Sequence, residues 1–541
     1  MTSVISITYL TVLSALAKAG LKVAHVDPNP YYGADEATLT VDELVQWAET
    51  HSTNPTEEPV QYRVDYMSQD RPSHPKQYSI SLSPSVIPSV GPFISSVISS
   101  GVARYGSYKL LGPVAIYRNG TFQSVPQSKE SIFQDRSIPL VEKRRLMRFL
   151  VFASGEFEKS PEFQGKEDTS FDHFLRESFS LSQEISQVIM FSLASCNFSG
   201  GETTMRPFPL YSHSYLESTM TSLHRVRSCL KSTGRYGSSP FLVGYYGGSG
   251  EITQGFCRAT AVNGGVYILG RKISNLVVNG TQEPERFSIE LEDIPDLLRS
   301  SCILSSMTCV PRCLRSRVNL ISSESDVPGT ARCRVHAVAR CIAIVNGTIT
   351  PPRLYGTDDI PPIEGQSDSL LVVFPPGSLD GGSLTSSVTL LTAGAGTMSA
   401  PSETSTAFLV QARLVSDRHE TDIIYLSMPL HEHGRSSKEL LDPYLIGILD
   451  SNPTCQSVFQ LFYMQYFPLA YNPPLEDSIS NFFILPHLQP DVFQAVDQAA
   501  HDAENAFWSA VQVVGSQSTG DRDRGSWMDC HIDSIHKQDL E

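Results

Sequence analysis

No run of roughly 18 or more apolar residues occurs in this 541-residue chain, so the sequence offers no membrane-spanning helix. Basic residues are outnumbered, with 41 Lys and Arg against 57 Asp and Glu. The resulting net charge of −16 argues against a nucleic-acid role and against unaided binding to anionic lipid. Glycine is missing from the first nineteen residues; Gly20 is the first in the chain. The ten cysteines are scattered, and Cys309–Cys313 has no second pair or histidine partner, which excludes a zinc site. Met1–Ala19 has no basic n-region and no A-x-A-like site before Lys18, so it reads as part of the fold and not as a signal peptide. Sequons at Asn119, Asn197, Asn279 and Asn346 then carry no weight, and reduced cysteines in the cytosol are expected. The last residues, Gln538-Asp539-Leu540-Glu541, are not a prenylation box. Lipid can enter only as something bound.

Hydrophobic residues make up 40% of the chain, enough for two or more domains with their own cores. Leu10–Ala19 reads as a helix ending at Gly20, Leu21–Val26 as a strand and Asp27 as its closing acid. That is the second half of a βαβ dinucleotide-binding unit, in which the acid lies about 20 residues after a glycine-rich phosphate loop. Counting back reaches Met1–Thr8, which contains no glycine. Either the chain never binds a nucleotide or the sequence lacks a preceding segment with the first strand; a missing or altered N-terminus is the preferred reading.

From Pro139 to about Lys231 the pattern turns helical. Leu146, Phe149, Leu150, Ala153 and Phe157 form one apolar stripe, with Lys143, Arg144, Arg145 and Arg148 on the rest of that helix. Thr169-Ser170-Phe171-Asp172 starts a second helix. Ile185, Val188, Ile189 and Leu193 mark a third; Leu216, Met220, Leu223 and Leu230 mark a fourth. Strands return at Leu370–Phe374, Val388–Leu391, Ile423–Leu426 and Val458–Phe467, with loops around a hairpin in Pro375–Ser405. Asp491–Val514 is a closing amphipathic helix, and Gly515–Glu541 is a polar, frayed remainder. The expected organisation is α/β. Residues 1–125 and 233–515 form a domain with mixed sheets, 126–232 an all-helical insert and 516–541 a tail.

The densest stretch is Tyr236–Val278, where Gly247-Gly248-Ser249-Gly250, Gly255 and Gly264-Gly265 punctuate runs of strand formers. It reads as a chain folding back on itself near a surface. Glu251 stands seven residues before Arg258 with aromatics on either side, and no nucleophile sits beside a base. This mix suits gripping a protein better than doing chemistry.

Gly250-Glu251-Ile252-Thr253-Gln254-Gly255-Phe256-Cys257-Arg258, followed by Gly264-Gly265-Val266-Tyr267-Ile268-Leu269, resembles a conserved block of the Rab GDP-dissociation inhibitor and escort protein superfamily. His25-Val26-Asp27-Pro28-Asn29-Pro30-Tyr31-Tyr32-Gly33 resembles its first block, and the likeness continues to about residue 515. The resemblance implies an FAD-binding-like fold without a cofactor or catalytic residues. It implies a platform for GDP-loaded Rab GTPases built from Tyr31, Tyr32, Glu251, Arg258 and Ile268. It also implies helices that part to hold a geranylgeranyl chain, with Phe149, Leu150, Ile185, Ile189 and Leu223 around it. Two departures are Ala34 in place of a second glycine and a glycine turn before Glu251 that is one residue longer. Phe133 and Arg144, eleven residues apart, match the positions by which escort proteins dock on the geranylgeranyltransferase α/β heterodimer. This favours an escort protein in transient contact with membranes. A GDP-dissociation inhibitor is the alternative, and an FAD-dependent oxidoreductase a remote one.

Overall fold

A computed structural model describes residues 2–3, 7–33, 36–52, 61–118, 120–126, 129–196, 218–280, 285–320, 337–349, 369–401, 421–430, 434–467, 479–486, 488, 491–514 and 527–529. Ala34, Asn119, Asn197, Leu216, Cys333 and most of the 516–541 tail lie outside the described residues.

Two large sheets organise the chain. The first is wholly parallel, in the order Val266–Leu269, Ala24–Asp27, Thr2–Ser3, Ile303–Ser305, Ile479–Ile484, Val318–Leu320. Thr2–Ser3 sits between Ala24–Asp27 and Ile303–Ser305, which is the place of the first strand in a doubly wound dinucleotide-binding sheet. The expectation is of a missing or altered N-terminus, and what stands in the first-strand position is this short strand. Two residues fill the position, and the helix follows without a glycine turn.

The second sheet has eight strands: Tyr62–Met67, Gln456–Tyr466, Ala337–Asn346, Thr421–Leu430, Val388–Ala393, Leu371–Phe374, Val114–Arg118 and Thr121–Ser124. Its pairings are antiparallel except between Leu371–Phe374 and Val114–Arg118, so the mixed-sheet expectation holds. Ala337–Asn346 reads as one apolar run because it is buried on both faces. Ile342 and Ile344 point into the largest core, and Ala339, Cys341 and Ala343 into another, following the two-residue period of a strand.

The described α-helices are α1 (Ile7–Lys18), α2 (Val41–Thr50), α3 (Pro92–Ser99), α4 (Lys129–Gln134), α5 (Leu140–Ser154), α6 (Phe171–Phe179), α7 (Gln183–Val188), α8 (Thr219–Ser232), α9 (Ser249–Val262), α10 (Ser437–Ser451) and α11 (Ala495–Val514). Helices α4 to α8 follow one another between the strands Thr121–Ser124 and Phe241–Gly244. Ser170 caps α6 by accepting from His173 N. Past Val188, α7 widens into a π-turn, Ile189–Leu193, where a continuous α-helix had been expected. No described helix is long and apolar enough to cross a membrane.

Three further expectations change. The glycine-rich run before Arg258 is no strand-turn-strand: Ser249–Val262 is α9, and Gly255 lies inside it. Glycine is there for room, since a side chain at Gly255 would press on Val102. Lys143 is buried on α5, not solvated. Its ammonium donates to the Phe133 carbonyl at 2.8 Å and so ties the end of α4 to α5. Within the tail expected to fray, Trp527 and Met528 are buried beside α11, with the Trp527 ring 5.7 Å from that of Phe507.

Candidate functional site

Helix α9 begins at Gly248, which has a φ of +80°, a conformation that favours glycine. It passes so close to the strand Thr38–Leu39 that a Cβ on Gly250 would collide with the Thr38 hydroxyl. Glu251, Gln254 and Arg258 follow at i, i+3 and i+7 and therefore share one stripe. Gln254 and Arg258 are exposed, Glu251 half-buried. The Arg258 guanidinium lies 4.7 Å over the ring of Tyr105, itself 40% exposed. Burial, reinforced by the Glu251 charge, pushes the Tyr108 hydroxyl up to about 12. Sequence reasoning missed Gln254, although its spacing between Glu251 and Arg258 was legible.

The turn bearing Tyr31 and Tyr32 reaches α9 from another side. Gly33 has a φ of +104°, and a Cβ there would lie 3.3 Å from Thr253 Oγ1. Thr253 is two residues on from Glu251, about 200° round the helix. The turn and the stripe therefore flank α9 and do not form one patch. Tyr32 is 39% exposed and meets Tyr267 edge-on, with ring centroids 5.6 Å apart, while Tyr31 packs against the largest core. Ile268 is half-buried and packs with Val26 and its neighbours. Alternation along Val266–Leu269 makes Tyr267, not Ile268, the neighbour of Tyr32.

An acid absent from the sequence reading holds this region together. Glu36 is 1% exposed, and its Oε2 accepts from Ile7 N at 3.0 Å, at the start of α1. Its own N–H donates to the Gly33 carbonyl at 2.8 Å. A flavin-binding relative of this fold would place its pyrophosphate at that helix terminus. Here a carboxylate engages it, no glycine precedes it, and Asp27 Oδ1 already accepts from Asn29 N at 2.7 Å. These residues do not fit a dinucleotide. Among the described residues, no group of His, Cys, Asp and Glu could hold a metal ion.

A cavity of about 690 Å³ lies where the helical stretch meets the eight-stranded sheet. Val114 and Ile116 form one wall; Leu146, Leu150, Ile185, Ile189 and Leu230 form the other. Three of the five residues expected around an isoprenoid, Leu150, Ile185 and Ile189, line it. Phe149 and Leu223 do not: both are fully buried, and Phe149 packs edge-on to Phe179 with centroids 5.3 Å apart. The opening lies against the sheet and not inside the helix bundle, so the faces turned to the bundle centre are core. On the outer side, Phe133 is 58% exposed at the end of α4 and Arg144 is exposed on α5, with Lys143 bridging the two helices.

Residues 6–350 match the protein family described as GDP dissociation inhibitor. The chain is 28% identical over 371 residues to the Rab proteins geranylgeranyltransferase component A of Saccharomyces cerevisiae, covering 68% of this chain and 54% of that one. With the human component A 1 the identity is 32% over 225 residues, 41% of this chain and 31% of that one. With the Rab GDP dissociation inhibitor beta of Rattus norvegicus it is 27% over 369 residues, 61% and 74% of the two chains. The chain spans about half the length of the first-matched curated relatives. Among solved structures, the Rab GDI of Plasmodium falciparum superposes with a TM-score of 0.62 at 16% identity, covering 94% of this chain and 97% of that one. An oxidoreductase from Methanosarcina mazei reaches 0.51 at 11%, covering 94% and 100%. These structural likenesses establish the fold alone.

Proposed function

The chain belongs to the GDP dissociation inhibitor family, and from that premise we propose that it is a non-catalytic Rab escort protein. It binds a GDP-loaded, unprenylated Rab GTPase, presents it to the geranylgeranyltransferase α/β heterodimer, and carries the lipidated product to a membrane in transient contact. The two flanks of α9 serve as the Rab surface, with Tyr32 on one side and Glu251 and Arg258 on the other. Tyr31 supports the turn from below, and Ile268 supports the strand bearing Tyr267. The cavity walled by Leu150, Ile185 and Ile189 receives the geranylgeranyl chain, with Phe149 and Leu223 packing behind that wall. Burying isoprenoid carbons there is worth about 0.8 kcal/mol per methylene.

The observation that supports escort over simple inhibition is that Phe133 and Arg144 are both exposed on two helices tied together by Lys143. An exposed aromatic and an exposed cation on linked helices suit a small interface with one anchor. Names among the relatives fit either role, so the discriminating test is reconstituted Rab prenylation. Transferase, geranylgeranyl diphosphate and an unprenylated Rab are combined with this chain as the sole accessory factor. Prenylation that depends on the chain, and that falls with Phe133→Ala or Arg144→Ala while Rab binding holds, supports the escort reading. Rab binding without prenylation makes a GDP-dissociation inhibitor the better description.

A further inference from the structure

Two cavities meet at the Arg118–Glu184 pair. Arg118 ends the strand Val114–Arg118 and lines both the apolar cavity and a second, polar one of about 550 Å³ beside it. Tyr117, Gln183 and Asp380 contribute to the walls of the second. The Arg118 side chain is 15% exposed. Its Nη2 donates to Gln123 Oε1 at 2.9 Å and stands 3.4 Å from Glu184 Oε2. Nε and Nη1 are buried, with no hydrogen-bond partner among the described residues. A guanidinium is always charged, and enclosed donors without acceptors cost free energy that native structures seldom leave uncompensated.

Two acids of the apolar cavity are already engaged. Asp135 Oδ1 accepts from Ser137 N at 2.8 Å, and Glu142 accepts from Arg145 Nη1 at 2.7 Å and from Ser182 N at 3.1 Å. Glu184 differs: its side chain is 66% exposed and Arg118 is its charged partner. Such solvated ion pairs are weak, so a better acceptor displaces Glu184 at little cost.

We propose that this junction is a head-group site, in which Arg118 pairs with the anionic end of a ligand whose hydrocarbon fills the apolar cavity. The inference rests on the isoprenoid reading of that cavity. The ligand class is an isoprenoid carrying a single carboxylate, as at a polypeptide C-terminus that ends in a lipidated cysteine. A planar carboxylate matches the guanidinium fork. One negative charge is also what the junction tolerates, because Glu184, Glu142 and Asp380 surround it and a diphosphate would set several charges against them.

The test uses the full chain and four probes in calorimetric titrations. These are N-acetyl-S-geranylgeranyl-cysteine, its methyl ester, geranylgeraniol and geranylgeranyl diphosphate. The free acid is expected to bind about tenfold to a hundredfold more tightly than the ester, the range of a charge-assisted hydrogen bond. Arg118→Met should bring the acid to the level of the ester and leave geranylgeraniol unchanged. Equal affinity for acid and ester in the parent protein overturns the head-group assignment and leaves the cavity reading standing. No binding of any probe overturns both. Preference for the diphosphate over the acid overturns the carboxylate class. Should Arg118→Met fail to fold, the comparison of acid with ester on the parent protein decides alone.

Discussion

Replacing Glu36 with alanine tests what holds the N-terminal half of the chain in place. Eleven of the twelve residues of α1 are buried, so its first turn has no recourse to water. Glu36→Ala strands the Ile7 N–H that now donates to the carboxylate at 3.0 Å. A buried donor left without an acceptor costs about 1–3 kcal/mol. Losing a negative charge at a helix N-terminus adds roughly 0.3–1 kcal/mol, more when the site is enclosed. The expected loss is about 3 kcal/mol, read as a shift of the urea midpoint at unchanged slope. Glu36→Gln keeps an acceptor and gives up only the charge, for about 1 kcal/mol. Because the Glu36 carboxylate ties the end of the turn closed at Gly33 to α1, the alanine variant, which keeps the backbone bond but loses that tie, should weaken Rab binding through Tyr32 as well. A Glu36→Ala protein within about 0.5 kcal/mol of the parent refutes the reasoning, since surface substitutions commonly fall in that band.

Burial pushes the Asp497 carboxyl up to about 7, against the pull of the Phe93 N–H that it accepts. An acid whose folded value lies above its unfolded one holds its proton more tightly in the fold. Stability should therefore decline as pH rises from about 4 to about 7, and Asp497→Asn should flatten that part of a melting-temperature profile. Tyr32→Ala and Arg258→Ala should each cost about 1–3 kcal/mol of affinity for a GDP-loaded Rab, measured by titration against the GTP-loaded form. Ile185→Trp should fill the cavity and weaken geranylgeraniol binding at least about tenfold while Rab binding persists. Phe133→Ala should lower transferase affinity, measured by surface plasmon resonance, by about 1–2 kcal/mol and leave the melting temperature unmoved.

The sequence was most legible where a period ran long. The helices of the insert and the closing helix ending at Val514 follow from three-four spacing, and four strands of the eight-stranded sheet from short runs of strand formers, whereas Ala337–Asn346, buried on both faces, has no alternation to read. Glycine misled in α9. Its glycines serve close approach to Thr38 and Val102, which has the same local signature as a turn. Thr2–Ser3 is too short to leave any period, and its place comes from pairing with residues about 20 and 300 positions away. Along α5, the apolar stripe was readable, but the division into core (Phe149) and cavity wall (Leu150) depends on how far the helix stands from the sheet. Glu36 gave no signal because a lone acid after a turn looks like any solvated one. Its meaning arises only when α1 is packed beside it.

Helix α5 has two occupations at once. Leu146, Met147 and Leu150 are part of the cavity wall, while Arg144 and, through Lys143, the end of α4 with Phe133 make up the exposed face proposed above for docking. The two surfaces are a single turn apart on one rigid rod. A guest too bulky for the empty cavity must push that rod, and the rod cannot tilt without carrying Arg144 with it and dragging on Phe133 through the lysine tether. If the proposed partner docks on this face, it would sense a filled cavity without touching the guest, and by the reciprocity of linkage docking would also alter how readily the cavity fills.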